Sequence, residues 1–161
     1  MRTLILYYSV TGHTRKIAQS LAGQLDATLG EITCKAYTSG LGALRQAFDV
    51  LRGGSPPIEI PKCAMQDWDL VVIGGPVWGA RPATPIRSYL RHNAARHVNL
   101  AVFVSCKGTS RAYPPERAIA ELRTMVPRPL RATQIFTEAQ IDRAGAASEI
   151  AGFAAVLRKP A

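Results

Sequence analysis

The sequence predicts an α/β protein: a parallel sheet with helices on both faces, in a single domain spanning residues 1–161. Three observations predict it. The apolar, β-branched runs LVVIGG (residues 70–75) and LAVFVS (100–105), with LILYY near the start, have the composition of strands buried on both faces. Segments with helical apolar spacing alternate with these runs through short connections, which leads to parallel strands and crossover helices. A chain of 161 residues, 47% hydrophobic and without repeats or low-complexity tracts, is long enough to bury one core.

The elements follow in order. Residues 4–14 read LILYYSVTGHT: a strand, then a hydroxyl-rich turn with one glycine. A helix over residues 15–25 follows, its apolar positions at Ile17, Ala18, Leu21, Ala22 and Leu25. Residues 29–34 form an edge strand. A helix over 41–51, periodic at Leu44, Ala47, Phe48 and Leu51, ends at Gly53-Gly54-Ser55-Pro56-Pro57. After the 70–75 strand, a Pro/Gly/Trp loop (76–82) leads to a helix over 85–93, with Thr84 as N-cap and Pro85 at its first position. The 100–105 strand runs into the polar turn 106–110. Pro114-Pro115 starts a further helix, which Pro127 stops. A last strand at 130–136 and a helix over 140–158, with Ile150, Phe153, Ala154 and Leu157 on one side, complete five β-α units.

In such sheets ligands gather beyond the carboxyl ends of the strands, where the strand order reverses. Three loops are expected there: residues 9–14, 76–82 and 106–111. The first has the chemistry of an anion cradle. The opening N–H groups of a helix lack internal partners and carry partial positive charge, Ser9, Thr11 and Thr14 add hydroxyls, and Gly12 permits positive φ or close approach. His13 stands in the same loop and could donate to a phosphate. Ser, Thr and Gly also make ordinary helix caps, so this loop acquires its meaning beside the second one.

Composition narrows the classes. The brief apolar start is too short for a secretory signal, no run is long enough to span a membrane, and Cys34, Cys63 and Cys106 lack metal or disulfide spacing; reduced thiols and a cytoplasmic location are expected. The net charge of +9 comes from scattered arginines without interleaved aromatics or a nucleic-acid motif, so nucleic acid is not the expected partner.

The stretch Tyr7-Tyr8-Ser9-Val10-Thr11-Gly12-His13-Thr14 resembles the flavodoxin phosphate loop, and Gly75-Pro76-Val77-Trp78 with Pro82, Pro85 and Leu90 resembles the flavin-flanking loop of the flavodoxin family. The last strand is uninterrupted, as in the short-chain members. The resemblance implies a three-layer sandwich with five parallel strands in the order 2-1-3-4-5, and FMN as cofactor. It places Ser9, Thr11, Gly12, His13 and Thr14 around the phosphate, and Pro76, Val77, Trp78 and Gly79 against the isoalloxazine and ribityl chain. Cys106, Lys107, Gly108, Thr109 and Ser110 would lie along the pyrimidine edge. Trp78 also suits stacking on a flat heteroaromatic ring, while Cys106 at a strand end reads as a small buried hydrophobe.

Two departures from the family matter. The third loop has no aromatic nearer than Tyr113, which leaves one flavin face open. From residue 70 to 115 the chain carries Arg81, Arg87, Arg91, Arg96, Lys107 and Arg111 and no Asp or Glu, with Arg81 and Lys107 in the loops and Arg87, Arg91 and Arg96 expected on solvated helix faces. A cationic rim favours a negatively charged reduced ring and anionic partners. This points to an oxidoreductase using NAD(P)H and passing two electrons to a quinone-like or other small acceptor; a second subunit, in a dimer or tetramer, could complete the open face. The alternative is an electron-transfer carrier docking an acidic redox partner protein. Other chemistries fail on spacing. Cys106 and Arg111 bracket four residues where a low-molecular-weight tyrosine phosphatase needs five, Gly108-Thr109-Ser110-Arg111-Ala112 lacks the closing glycine of a hydrolase elbow, and the first strand ends without the acids of a response regulator.

Overall fold

The computed structural model describes residues 1–142 and 146–159. Its elements run β1 (Thr3–Tyr7), α1 (His13–Leu25), β2 (Thr28–Glu31), α2 (Gly42–Arg52), β3 (Leu70–Trp78), β4 (Arg81–Pro82), α3 (Thr84–Asn93), β5 (Leu100–Cys106), α4 (Glu116–Thr124), β6 (Thr133–Thr137), α5 (Glu138–Ile141) and α6 (Ala146–Arg158). The sheet order is β2-β1-β3-β5-β6, all neighbours parallel, with Leu4 opposite Val71 and Val72 opposite Ala101. This is the expected 2-1-3-4-5 order of five main strands. The two-residue β4 is an addition: it folds back antiparallel on the end of β3, pairing Trp78 with Arg81.

The strands bury both faces. In β1, Leu4 and Leu6 enter one core layer with Ile86, Tyr89 and Leu90 of α3 and Ile119 and Leu122 of α4. Ile5 and Tyr7 enter the other, against Ile17, Ala18 and Leu21 of α1 and Ile150, Phe153, Ala154 and Leu157 of α6. The period of two along an extended chain sends alternate residues to opposite layers. Gly74 is required on β3 because a Cβ there would meet the ring of Phe103 on neighbouring β5.

Four local expectations are revised. β3 continues through Trp78, so the expected 76–82 loop is mostly hairpin, turning at Gly79 (φ 57°) and Ala80 (φ 63°). Two positive-φ residues in succession match the twist of a tight hairpin, and Ala80 holds this conformation despite its Cβ. Thr84 is not the N-cap of α3. Ala83 holds that place, and the Thr84 hydroxyl bonds the Tyr37 hydroxyl at 2.6 Å instead. The expected helix over 140–158 is two helices, α5 and α6, and the part of that span at 143–145 lies outside the described residues. Finally, α2 is amphipathic as expected but its apolar side faces outward: Leu41, Leu44, Phe48 and Leu51 are 71%, 71%, 52% and 81% exposed. Its inner side is held by polar contacts, the Tyr37 hydroxyl donating to Asp49 Oδ2 at 2.8 Å.

Beneath α3, His97 is buried beside Tyr89, whose hydroxyl lies 2.8 Å from Nε2. Burial, with a smaller contribution from Arg96, lowers the His97 pKa below its ordinary 6.5. The unfolded chain therefore takes up this proton first as pH falls, so stability is full above pH 6.5 and declines below it. Urea unfolding should show the wild type losing up to about 1.4 kcal/mol per pH unit from this group below that point. His97→Gln should flatten the slope in that window, and an unchanged slope would remove His97 as its source.

Candidate functional site

The first loop leaves β1 at Tyr8 and enters α1 through Gly12, whose φ of 94° places it in the left-handed region that a side chain disfavours. No side chain caps the helix. The Ser9 hydroxyl instead accepts from the N–H groups of Gly12 (3.2 Å) and Arg15 (3.4 Å), which curls the loop back on itself. The N–H groups of His13 and Thr14 have no acceptor among the described residues, as the opening turn of a helix requires unless an external group supplies one. Space beside Gly12 is open, with nothing within 4 Å of a notional Cβ.

Thr14 is almost wholly buried, and its Oγ1 lies 2.7 Å from Ser105 Oγ near the end of β5. This buried hydroxyl pair ties the first loop to the third. Around it lies a cleft of about 290 Å³ lined by Val10, Thr11, His13 and Thr14 from the first loop, Pro76, Val77 and Trp78 from the end of β3, Ser105, Cys106 and Lys107 from the third, and Gln46 and Glu138. Residues of all three sequence-predicted loops thus meet in one place. Among the expected site residues, Ser9 lines a neighbouring hollow with Tyr8 and Tyr37, and Gly79 lines another with Arg81 and Arg117. Gly12, Gly108 and Thr109 frame the loops without lining the cleft.

Trp78 forms an apolar wall, held edge-on by Tyr8 (centroids 5.8 Å apart) and Tyr37 (6.2 Å). Burial pushes the Tyr8 phenol up to about 12 and raises that of Tyr37 as well, so both remain neutral supports. Cys106 is buried with Sγ toward the Phe136 carbonyl, and burial raises its pKa, which keeps it a thiol.

The charge pattern differs from the expected cationic rim. Lys107 lines the cleft, but Arg81 is engaged: its Nε lies 3.1 Å from Glu121 Oε2 and its Nη1 donates to the Val50 carbonyl. Arg87 is buried rather than solvated, 5% exposed, with Nε 2.7 Å from Glu121 Oε1. Burial lowers its pKa, and Glu121 works in the opposite direction. One carboxylate from α4 thus neutralises part of a region that holds no acid of its own.

A second acid, Glu138, enters the cleft from the end of β6. His13 links it to the first loop, with Nδ1 2.9 Å from Thr11 Oγ1 and 3.6 Å from Glu138 Oε1, and Nε2 3.8 Å from Asp142 Oδ1. Four residues that line the cleft were not among the expected site residues: Val10 and Ser105, which lie within or beside the expected loops, and Gln46 and Glu138, which lie outside them. The rule that ligands lie beyond strand carboxyl ends also covers the residue just after β6, and would have raised Glu138; nothing local marks Gln46.

Thr14→Val removes one half of the buried hydroxyl pair and leaves Ser105 unsatisfied, and should lower stability by about 1–3 kcal/mol. Denaturant melts of Thr14→Val beside Thr14→Ser would check this: the serine variant, which keeps the hydroxyl, should avoid most of the loss, and equal losses would assign the effect to packing.

No family model matches the chain, and a search of curated proteins finds no match. Solved structures do match. A Lactobacillus acidophilus NCFM flavoprotein in complex with FMN is 26% identical, with 88% of this chain and 96% of that one covered at a TM-score of 0.70. Oxidised flavodoxin 2 from Bacillus cereus is 18% identical over 97% of each chain (TM-score 0.60), and a flavodoxin, WrbA-like protein from Agrobacterium tumefaciens is 15% identical over 98% and 97% (TM-score 0.52). The last two identities speak for the fold alone. By its strand order, by the three loops that meet at one sheet edge and by its likeness to these solved structures, the chain has a flavodoxin-like fold.

Proposed function

We propose that the cleft binds FMN and that the protein is an FMN-dependent oxidoreductase, taking electrons from NAD(P)H and passing two at a time to a quinone-like or other small acceptor. The observation that carries the cofactor is the conjunction of an open anion cradle at the α1 N-terminus with the Trp78 wall in one cleft. The residues present fit the group. The unpaired His13 and Thr14 N–H groups and the Thr11 hydroxyl suit a phosphate, Trp78 suits a flat ring, and the third loop offers further N–H donors. Bound there, FMN supplies one- and two-electron redox chemistry.

The chain's own contribution is to orient the ring and to leave a way in. Lys107, Gly108 and Thr109 are exposed, and Tyr113 is 62% exposed and lines no part of the cleft, so no aromatic from the third loop covers it. An uncovered face admits a planar nicotinamide or quinone in turn, which favours the reductase. The carrier docking an acidic protein is the second reading, supported by the exposed Lys107 and Arg111 beside the cleft.

The direct experiment adds FMN to purified protein, removes the excess, and follows the visible band under anaerobic NADPH and NADH. A retained band that bleaches supports the reductase. One bleached only by a one-electron donor supports the carrier, and loss of the band overturns FMN binding.

Two variants refine the site. Thr11→Ala should weaken FMN binding by about 1.5–3 kcal/mol if its hydroxyl meets the charged phosphate. Glu138→Gln should tighten it by about twofold to fivefold, more at low salt, because a carboxylate beside an anion cradle opposes the ligand. Flavin fluorescence titration measures both, and weaker binding in Glu138→Gln would reverse the role given to that carboxylate.

A further inference from the structure

We propose that the outward face of α2 is a docking surface for an anionic lipid bilayer. Leu41, just before the helix, and Leu44, Phe48 and Leu51 follow the three-and-four spacing that places residues on one side of a helix. All four are more than half exposed. Ala43 and Ala47, also exposed, widen the arc. A contiguous apolar row of this kind is uncommon on a soluble surface without a partner.

The orientation of α2 is built in. Asp49 faces inward to the Tyr37 hydroxyl, Gln46 reaches the cleft, and Arg81 holds the Val50 carbonyl near the helix end. A Cβ on Gly42 would strike the Tyr37 backbone, so the start of the helix sits tightly against the 35–37 turn. The polar side is thus the anchored one, and the apolar side is presented.

Charge selects the occupant. Arg45 and Arg52 fall together along one edge of the row, with the Arg52 guanidinium 4.4 Å from the centre of the Phe48 ring. Asp49, the single acid on α2, is turned inward, 16% exposed, bonded to Tyr37 and 3.9 Å from Arg45 Nε, so it offsets part of the Arg45 charge while the Arg45 side chain stays 56% exposed. A second copy laid on this row would therefore bring arginines without exposed α2 carboxylates to meet them. Anionic headgroups would meet them, while the Leu and Phe side chains enter the interface and the arginine stems follow their surface. The row stands on a convex helix, and none of the four residues lines the clefts described above. A bilayer needs no matching groove. The chain's net charge of +9 acts in the same direction.

Seating is a surface interaction: no helix among the described residues is long and apolar enough to cross a membrane. It would bring the cleft, across α2, to within about one helix diameter (~10 Å) of the lipid. An acceptor dissolved in the bilayer would then be close at hand, a consequence that rests on the reductase reading, as the docking itself does not.

The test is co-sedimentation of the full chain, without added FMN, with large vesicles of phosphatidylcholine alone or mixed with phosphatidylglycerol. Binding is expected to the mixed vesicles and to weaken with salt. Leu44→Gln/Phe48→Gln, and separately Leu41→Gln/Leu51→Gln, should each reduce it about tenfold or more. Arg45→Gln and Arg52→Gln should each reduce it about fivefold. Circular dichroism and thermal melting should match the wild type, since the replaced side chains are exposed, and at least one apolar pair must pass this check. No vesicle binding, or binding indifferent to the apolar pairs, overturns the proposal. A dimer in sedimentation equilibrium that the apolar pairs dissociate overturns it as well, assigning the face to a second copy.

Discussion

The sheet is buried on both faces, and this constraint organises the rest of the molecule. Every residue of β1 and of β5 is buried, so the central strands have little room for exposed polar side chains, and polar chemistry is displaced to their carboxyl ends. The transition is visible at Ser105. Its hydroxyl, at the inner end of the cleft, is satisfied by Thr14 at the start of α1, and that contact sets the first loop against the third. The cleft is therefore the edge of the core, and its shape depends on the packing of α1 against the sheet.

Tertiary folding also rewrites the charge pattern. A stretch free of acids from residue 70 to 115 reads as a cationic rim, yet Glu121 lies between Arg81 and Arg87, and Glu138 and Asp142 approach His13. A buried arginine such as Arg87 must have a counter-charge because desolvation is too costly otherwise. Glu121 meets that requirement and in doing so engages Arg81. The field at the cleft then rests on a balance between Lys107 and Glu138.

Helix α2 illustrates a different limit of local reading. Its apolar periodicity identified a helix correctly, and in most globular proteins such a stripe faces the core. Here Tyr37, itself held by Thr84, and Arg81 provide partners for the polar side and the backbone end, and the stripe turns outward. Periodicity reports that two faces differ. Which one is buried depends on what the neighbouring segments offer.

The sequence by itself determined the alternation of strands and helices, the two-sided burial of the sheet and the three loops at its carboxyl edge, because side-chain period and turn chemistry act within a few residues. The first-loop residues Thr11, His13 and Thr14 and the wall residue Trp78, which line the cleft, were legible for the same reason. Only the tertiary structure decided that β3 runs on into a hairpin, that Gln46 and Glu138 join the cleft, that Arg81 and Arg87 share Glu121, and that α2 presents its apolar side. Apart from the hairpin, which turns on two consecutive positive-φ residues, each of these joins segments far apart in the chain. Local pattern carries no record of which distant partner will satisfy a buried charge or hydroxyl.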